Sequence, residues 1–177
     1  MKKTITLLAL TISFSINAQV STVGTTASGS ASTAIGFQTT ASGDVSTAMG
    51  FQTAAIGGYS TAMGYETEAS GDYSTAIGFQ TTASGDISTA MGVWTEASGD
   101  YSTAMGVWTE ASDYASTVIG RYNLLGSTIT NSADEFSTEN TAFVIGNGGT
   151  PGNRSDALTV LFDGTTTIAG DLSINSD

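Results

Sequence analysis

The chain has 177 residues and a net charge of −12, with 16 Asp and Glu against 4 Lys and Arg, and it contains neither Cys nor His. So acidic a chain does not hold a nucleic-acid backbone by counterion release. Without Cys or His there is no thiol nucleophile, no Ser–His triad, no His-ligated metal and no disulfide framework, and no cofactor is expected.

Residues 1–18 open with Met1-Lys2-Lys3, continue through an apolar stretch from Thr4 to Ile16, and end on a small residue at Ala18. The pattern is that of a secretory signal cleaved after Ala18; the stretch is too short and too rich in Ser and Thr for a membrane-spanning helix. Cleavage removes both lysines and leaves Arg121 and Arg154 as the only side-chain cations. A secreted or surface location is expected.

A repeat of 14 residues follows without a slip: ASGSASTAIGFQTT from Ala27, ASGDVSTAMGFQTA from Ala41, then copies from Ala55, Ala69, Ala83 and Ala97, and a degenerate ASDYASTVIGRYNL from Ala111. Fourteen residues are also two heptads. The Gly, Thr and Ser content argues against a coiled coil, because Gly alone costs a helix about 1 kcal/mol relative to Ala. Two short alternating runs per repeat, such as Ser32–Ile35 and Phe37–Thr40, read instead as two strands of one solenoid coil. Seven invariant glycines (Gly36, Gly50, Gly64, Gly78, Gly92, Gly106, Gly120) are expected at a structural turn, through positive φ or close backbone approach. The neighbouring column (Ile35, Met49, Met63, Ile77, Met91, Met105, Ile119) is always large and apolar, and is expected inside the coil. By alternation Thr33 shares that face, while Ser32 and the small Ala34 column point outward, against a neighbouring chain. A coil this thin buries little area, so self-association is expected.

The repeat Ala-Ser-Gly-Asp-x-Ser-Thr-Ala-Ile/Met-Gly resembles the head repeat of trimeric autotransporter adhesins of the YadA type, over about residues 25–122. The resemblance implies a left-handed parallel β-roll, a homotrimer, and adhesion at the outer membrane surface. Thr33 and its column stand where Val is more usual. The Asn-Ser-Val-Ala-Ile-Gly collagen-binding motif is absent, so collagen is not supported as a ligand. No long heptad stalk and no barrel anchor is found. Residues 141–174 instead carry alternating Leu158, Val160 and Phe162 before Asp163-Gly164 and Thr165–Ile168, a hairpin signal. This stretch resembles the region before an endosialidase-type intramolecular chaperone in tail fibres, with Ile174–Asp177 similar to the chaperone's start.

Four sets of side chains are candidates for function. Asp44, Asp72, Asp86 and Asp100 form a column read as turn residues; a calcium ladder would need further oxygen ligands. Glu66, Glu68, Glu96 and Glu110 read as strand-end charges; a glycosidase pair would need a sugar pocket and an acid of raised pKa. The Thr33 and Thr39 columns allow an ice-ordering array, disfavoured if Thr33 points inward. Trp94 and Trp108, followed by Tyr122, occupy a column facing away from Phe37, with Tyr59, Tyr73 and Tyr101 in a nearby column. These five, Trp94, Trp108, Tyr59, Tyr73 and Tyr101, form the candidate ligand-binding face, for glycan or host surface; filling of an interface is the other reading.

The expected chain is thus all-β and non-enzymatic. A signal peptide spans 1–18, a roll of about seven coils spans 19–124, and a β-rich neck or stem spans 125–177. An adhesin-type head is the first functional reading, and a structural fibre segment the alternative.

Overall fold

A computed structural model describes residues 23–125 and 133–172. The expected signal sequence and the Ile174–Asp177 end fall outside the described residues.

The described residues are all-β, in seventeen strands. In chain order these are β1 (Thr26–Ala27), β2 (Thr33–Phe37), β3 (Thr40–Ala41), β4 (Thr47–Phe51), β5 (Ala54–Ala55), β6 (Thr61–Tyr65), β7 (Glu68–Ala69), β8 (Thr75–Phe79) and β9 (Thr82–Ala83). There follow β10 (Thr89–Val93), β11 (Glu96–Ala97), β12 (Thr103–Val107), β13 (Glu110–Ala111), β14 (Thr117–Arg121), β15 (Thr141–Asn147), β16 (Asp156–Leu161) and β17 (Thr166–Ile168). The two-residue strands stack into a seven-stranded sheet, β1 to β13 in odd order; the five-residue strands stack into a ten-stranded sheet that β15, β16 and β17 extend. Pairing within the roll is parallel, and each residue faces its equivalent 14 positions on, as Thr33 faces Thr47 and Gly36 faces Gly50. This is a parallel β-solenoid with the expected period.

Two corners per coil set the inward and outward faces. Gln38 and Val45 sit at φ 52° and 57°, and the residue at every equivalent position is left-handed too. Each such residue shifts the alternation by one. Inward positions run 32, 34, 36 before the first corner, 39, 41, 43 after it, and 46, 48, 50 after the second. A coil is therefore two seven-residue halves. The corner amides are held by the preceding coil: Gln52 N–H donates to the Phe37 carbonyl at 2.8 Å, and Tyr59 N–H to that of Asp44 at 2.7 Å.

The interior reverses the expectation. Ala34, Ala48, Ala62, Ala76, Ala90 and Ala104 are buried, with the Ala41 to Ala111 column facing them. Ile35, Met49, Met63, Ile77, Met91, Met105 and Ile119 point outward, and Met63, Met91 and Met105 are 37–39% exposed. Thr33 does share their face, but that face is the outer one. The physical reason is width. Two sheets joined by connections of two and five residues lie too close for Ile or Met between them, so the interior takes Ala, Ser, Thr and Gly, with Val118 and Val144 at the C-terminal end. The Ala34 column therefore packs within the chain, and the face left for a neighbour is the large apolar one.

The glycine column is strand rather than corner. Gly36 and its equivalents lie two residues before the left-handed corner, at φ between 99° and 135°. A Cβ on Gly78 would overlap the carbonyl oxygen of Gly92 in the next coil. Close approach and positive φ both act at these strand positions.

The C-terminal part is continuous with the roll. β15 pairs parallel with β14 in the repeat register, placing Val144 beside Val118 and Gly146 beside Gly120. Ala-Phe-Val-Ile-Gly is thus one more long strand, delayed by an insertion. The boundary drawn at residue 124 falls within one sheet. β16 and β17 then form an antiparallel hairpin around Asp163-Gly164, where the turn signal had placed it.

Candidate functional site

The Trp column sits on the first corner of the coil. Trp94 and Trp108 are left-handed at φ 55° and 54°, and their amides donate to the carbonyls of Phe79 and Val93. That geometry swings the indoles outward over the short-strand sheet. Their rings stack at 4.7 Å and 8°, as side chains repeated every coil do at the spacing of adjacent strands. Tyr122 continues the stack at 6.2 Å from Trp108. The corner also undoes the alternation, so the Trp column does not face away from the Phe column: Phe79 meets Trp94 edge-on at 6.2 Å.

An open groove of about 320 Å3 runs beside the stack, lined by Glu66, Gln80, Thr82, Trp94, Thr95, Glu96, Trp108, Thr109, Glu110 and Arg154. Glu96 and Glu110 face each other in register on β11 and β13. Burial pushes the Glu110 carboxyl above its ordinary range, the Glu96 charge pushes it further, and Arg154 opposes both. Arg154 closes one end of the groove, its Nη1 donating to the carbonyls of Trp108 at 3.1 Å and Asn123 at 3.0 Å. At the other end Gln80 Nε2 donates to Glu66 Oε2 at 2.6 Å. The Tyr65 phenol is raised above its usual pKa, first by its hydrogen bond to Glu66. Sequence reasoning had the Trp column but missed this groove, because Arg154 arrives from the connection between β15 and β16, beyond the repeats.

The Tyr column is elsewhere. Tyr59, Tyr73 and Tyr101 are left-handed residues of the second corner, at φ 59–60°, so they stand at the opposite end of the long strands from Trp94 and Trp108. Tyr59 and Tyr73 stack at 4.8 Å and 1°, and Tyr101 meets Tyr114 at 5.2 Å. The structure thus divides the five expected face residues between two corners.

The acidic columns have backbone partners. Asp72 Oδ1 accepts from Gly58 N–H at 2.7 Å, Asp86 Oδ1 from Asp72 N–H at 2.9 Å, and Asp100 Oδ1 from Asp86 N–H at 2.8 Å. Each carboxylate staples its coil to the one before, a role suited to a turn Asp. Among the described residues, no group of three His, Cys, Asp or Glu is placed to hold a metal ion.

Comparison with known families rests on this frame of invariant glycines and paired coils. The YadA head domain repeat matches residues 27–53, 55–81, 69–93, 83–107 and 97–123, more than half of the chain. The chain belongs to the YadA head repeat family. No curated protein sequence matches it. The matched YadA repeats coincide with the solenoid coils and end at residue 123. The C-terminal hairpin, and its likeness to the region before an endosialidase-type chaperone, stand outside the match.

Both Trp residues and the carboxylates of the groove lie inside the matched YadA repeats, whereas Arg154 lies beyond them. Among the described residues no helix is long and apolar enough to cross a membrane.

Proposed function

We propose that this chain is a non-enzymatic, adhesin-type head module, secreted or displayed at the cell surface and assembled as a homotrimer. Membership of the YadA head family supports attachment, an extracellular location and trimeric assembly. The observation that carries the reading is the outer face of the ten-stranded sheet. There the Ile35-to-Ile119 column runs beside Phe37, Phe51, Tyr65 and Phe79, whose rings stack at 4.8–5.2 Å. Phe37, Tyr65, Phe79, Val93 and Val107 are each 38–40% exposed. Two adjoining apolar columns, interrupted by Arg121 in the last coil, exceed what a solitary chain leaves in water. The interior of Ala, Ser and Thr adds little, so burying the outer columns against further copies supplies the missing apolar area.

Light scattering on the purified chain, over a dilution series, tests the assembly. A mass of three monomers is expected, and Met63→Glu with Met91→Glu should dissociate it. A folded monomer across the series would overturn the trimer. With the outer sheet face so occupied, the Trp94–Trp108 corner is the attachment face. Changing both Trp to Gln should abolish surface binding and leave the circular dichroism spectrum unchanged.

A second reading is a structural fibre segment. It is favoured by the ten-stranded sheet running unbroken from β2 to β17, which makes the C-terminal part an in-line extension of the roll. A stable trimer that shows no surface binding, in the parent as in the Trp double variant, would support it over the adhesin reading.

A further inference from the structure

The groove beside Trp94 and Trp108 is unevenly charged. Three carboxylates, Glu66, Glu96 and Glu110, line it against a single guanidinium. That guanidinium, Arg154, already donates to two backbone carbonyls. Arg121, the other cation among the described residues, donates to the Gly149 carbonyl and lies over the Tyr122 ring at 5.4 Å. The Glu66 and Glu96 end therefore has no cation of its own.

The aromatic part fits the same chemistry. Trp94 stacks one face on Trp108, and the stack runs along the coil axis. On the side of the preceding coils Trp94 lines the groove together with Gln80 and Glu66, and Phe79 approaches it edge-on at 6.2 Å. An indole face is the electron-rich side of the ring and attracts cations, most strongly where carboxylates stand beside it. Burial and the Glu96 charge already disfavour the ionised form of Glu110, and an arriving positive charge relieves that repulsion.

Arg154 shows how such a group is presented. It is carried on the irregular segment just before β16, and its side chain reaches into the groove with the backbone lying alongside. On these grounds we infer that the open end takes the arginine or lysine side chains of a basic peptide segment on the attached surface. The inference rests on the attachment-face reading above and specifies its ligand as cationic polypeptide, not neutral sugar.

The chain contains two Trp residues, both in the groove, so their fluorescence reports on this site alone. The full chain is titrated with a blocked pentapeptide carrying two arginines, with the same peptide carrying citrulline, and with a neutral chitin trisaccharide. A saturable emission change is expected with the arginine peptide only. It should weaken as salt rises, and by about tenfold in Glu66→Gln with Glu96→Gln. Far-UV circular dichroism and mass serve as fold controls. Should the double variant misfold, the single Glu96→Gln change, at an exposed position, carries the test with a smaller loss.

Equal binding of the citrulline peptide, or arginine-peptide binding indifferent to both Glu changes, would overturn the inference. An emission change with the trisaccharide alone would reject the cationic ligand and leave the attachment face standing. No response to any of the three would reject both.

Discussion

The side-chain amide of Asn123 pairs with the backbone of Glu110 as a neighbouring strand would. Asn123 Oδ1 accepts from Glu110 N–H at 2.9 Å, and Asn123 Nδ2 donates to the Glu110 carbonyl at 3.0 Å. β13 is the last strand of the seven-stranded sheet, and its edge would otherwise be open to pairing with another chain. A buried side chain closes it. Arg154 and Asp156 brace the same end, Asp156 Oδ1 accepting from Leu124 N–H at 3.0 Å.

Asn123→Ala should therefore fray the C-terminal end of the short sheet. Two hydrogen bonds to a partly buried edge are lost, at a cost of about 2 kcal/mol. Hydrogen exchange should show faster loss of protection at the Glu110 amide, with the coils near Gly64 unaffected. Unchanged protection at Glu110 would mean that water replaces the amide without cost.

The glycine column predicts a contrast within one residue type. Gly78→Ala forces a Cβ into the next coil's carbonyl at φ 135°, whereas a Cβ on Gly152 meets nothing within 4 Å. Chemical denaturation should register a loss of about 4 kcal/mol or more for Gly78→Ala, with Gly152→Ala within about 0.5 kcal/mol of the parent. Similar midpoints for both would show that the coils can separate locally.

The interior contains hydroxyls without partners. Thr53, Thr67, Thr81 and Thr95, with Ser60, Ser74 and Ser88, bury their side-chain oxygens unbonded. Removing such a group while keeping its shape recovers its desolvation cost. Thr67→Val should raise stability by about 1 kcal/mol in urea denaturation. A loss of that size would instead indicate that the Thr67 hydroxyl is bonded in solution.

Glu110 makes stability depend on pH. Its folded-state pKa lies above the ordinary value of 4.5. Between the unfolded and folded values the native state therefore binds more protons, and this group's contribution falls as pH rises through that window. Glu110→Gln should be more stable than the parent at pH 7, and the difference should close below pH about 4.5. A thermal melt series in both proteins reads this directly; a gap independent of pH would assign the effect to packing.

Asp113 illustrates how the end of the roll is written locally. It stands where the preceding coils carry Gly99 or Gly85, positions whose Cβ would strike the next coil. No further coil of the short sheet stacks on Asp113. Its carboxylate is free to turn and accept from Thr141 N–H at 2.8 Å, tying the insertion's return to the last coil. The degenerate repeat at Ala111 is thus a stop, and the missing glycine is its signal in the sequence.

The 14-residue period, the two strands per coil, the close approach at Gly36 and its equivalents, and the Asp163-Gly164 hairpin were all determined by the residues themselves. Each is a local matter: alternation, turn chemistry, or a column that tolerates no side chain. Which face turned inward was decided only by the tertiary structure. Ile35 is more apolar than Ala34, but the left-handed corners at Gln38 and Val45 draw the sheets too close for it. Width overrides hydrophobicity, and the large residues pass to the outside. The same corners part Tyr59 from Trp94, two columns that look adjacent in sequence. The groove needed the fold as well, because Arg154 reaches Trp108 only once the insertion has brought the chain back across the end of the roll.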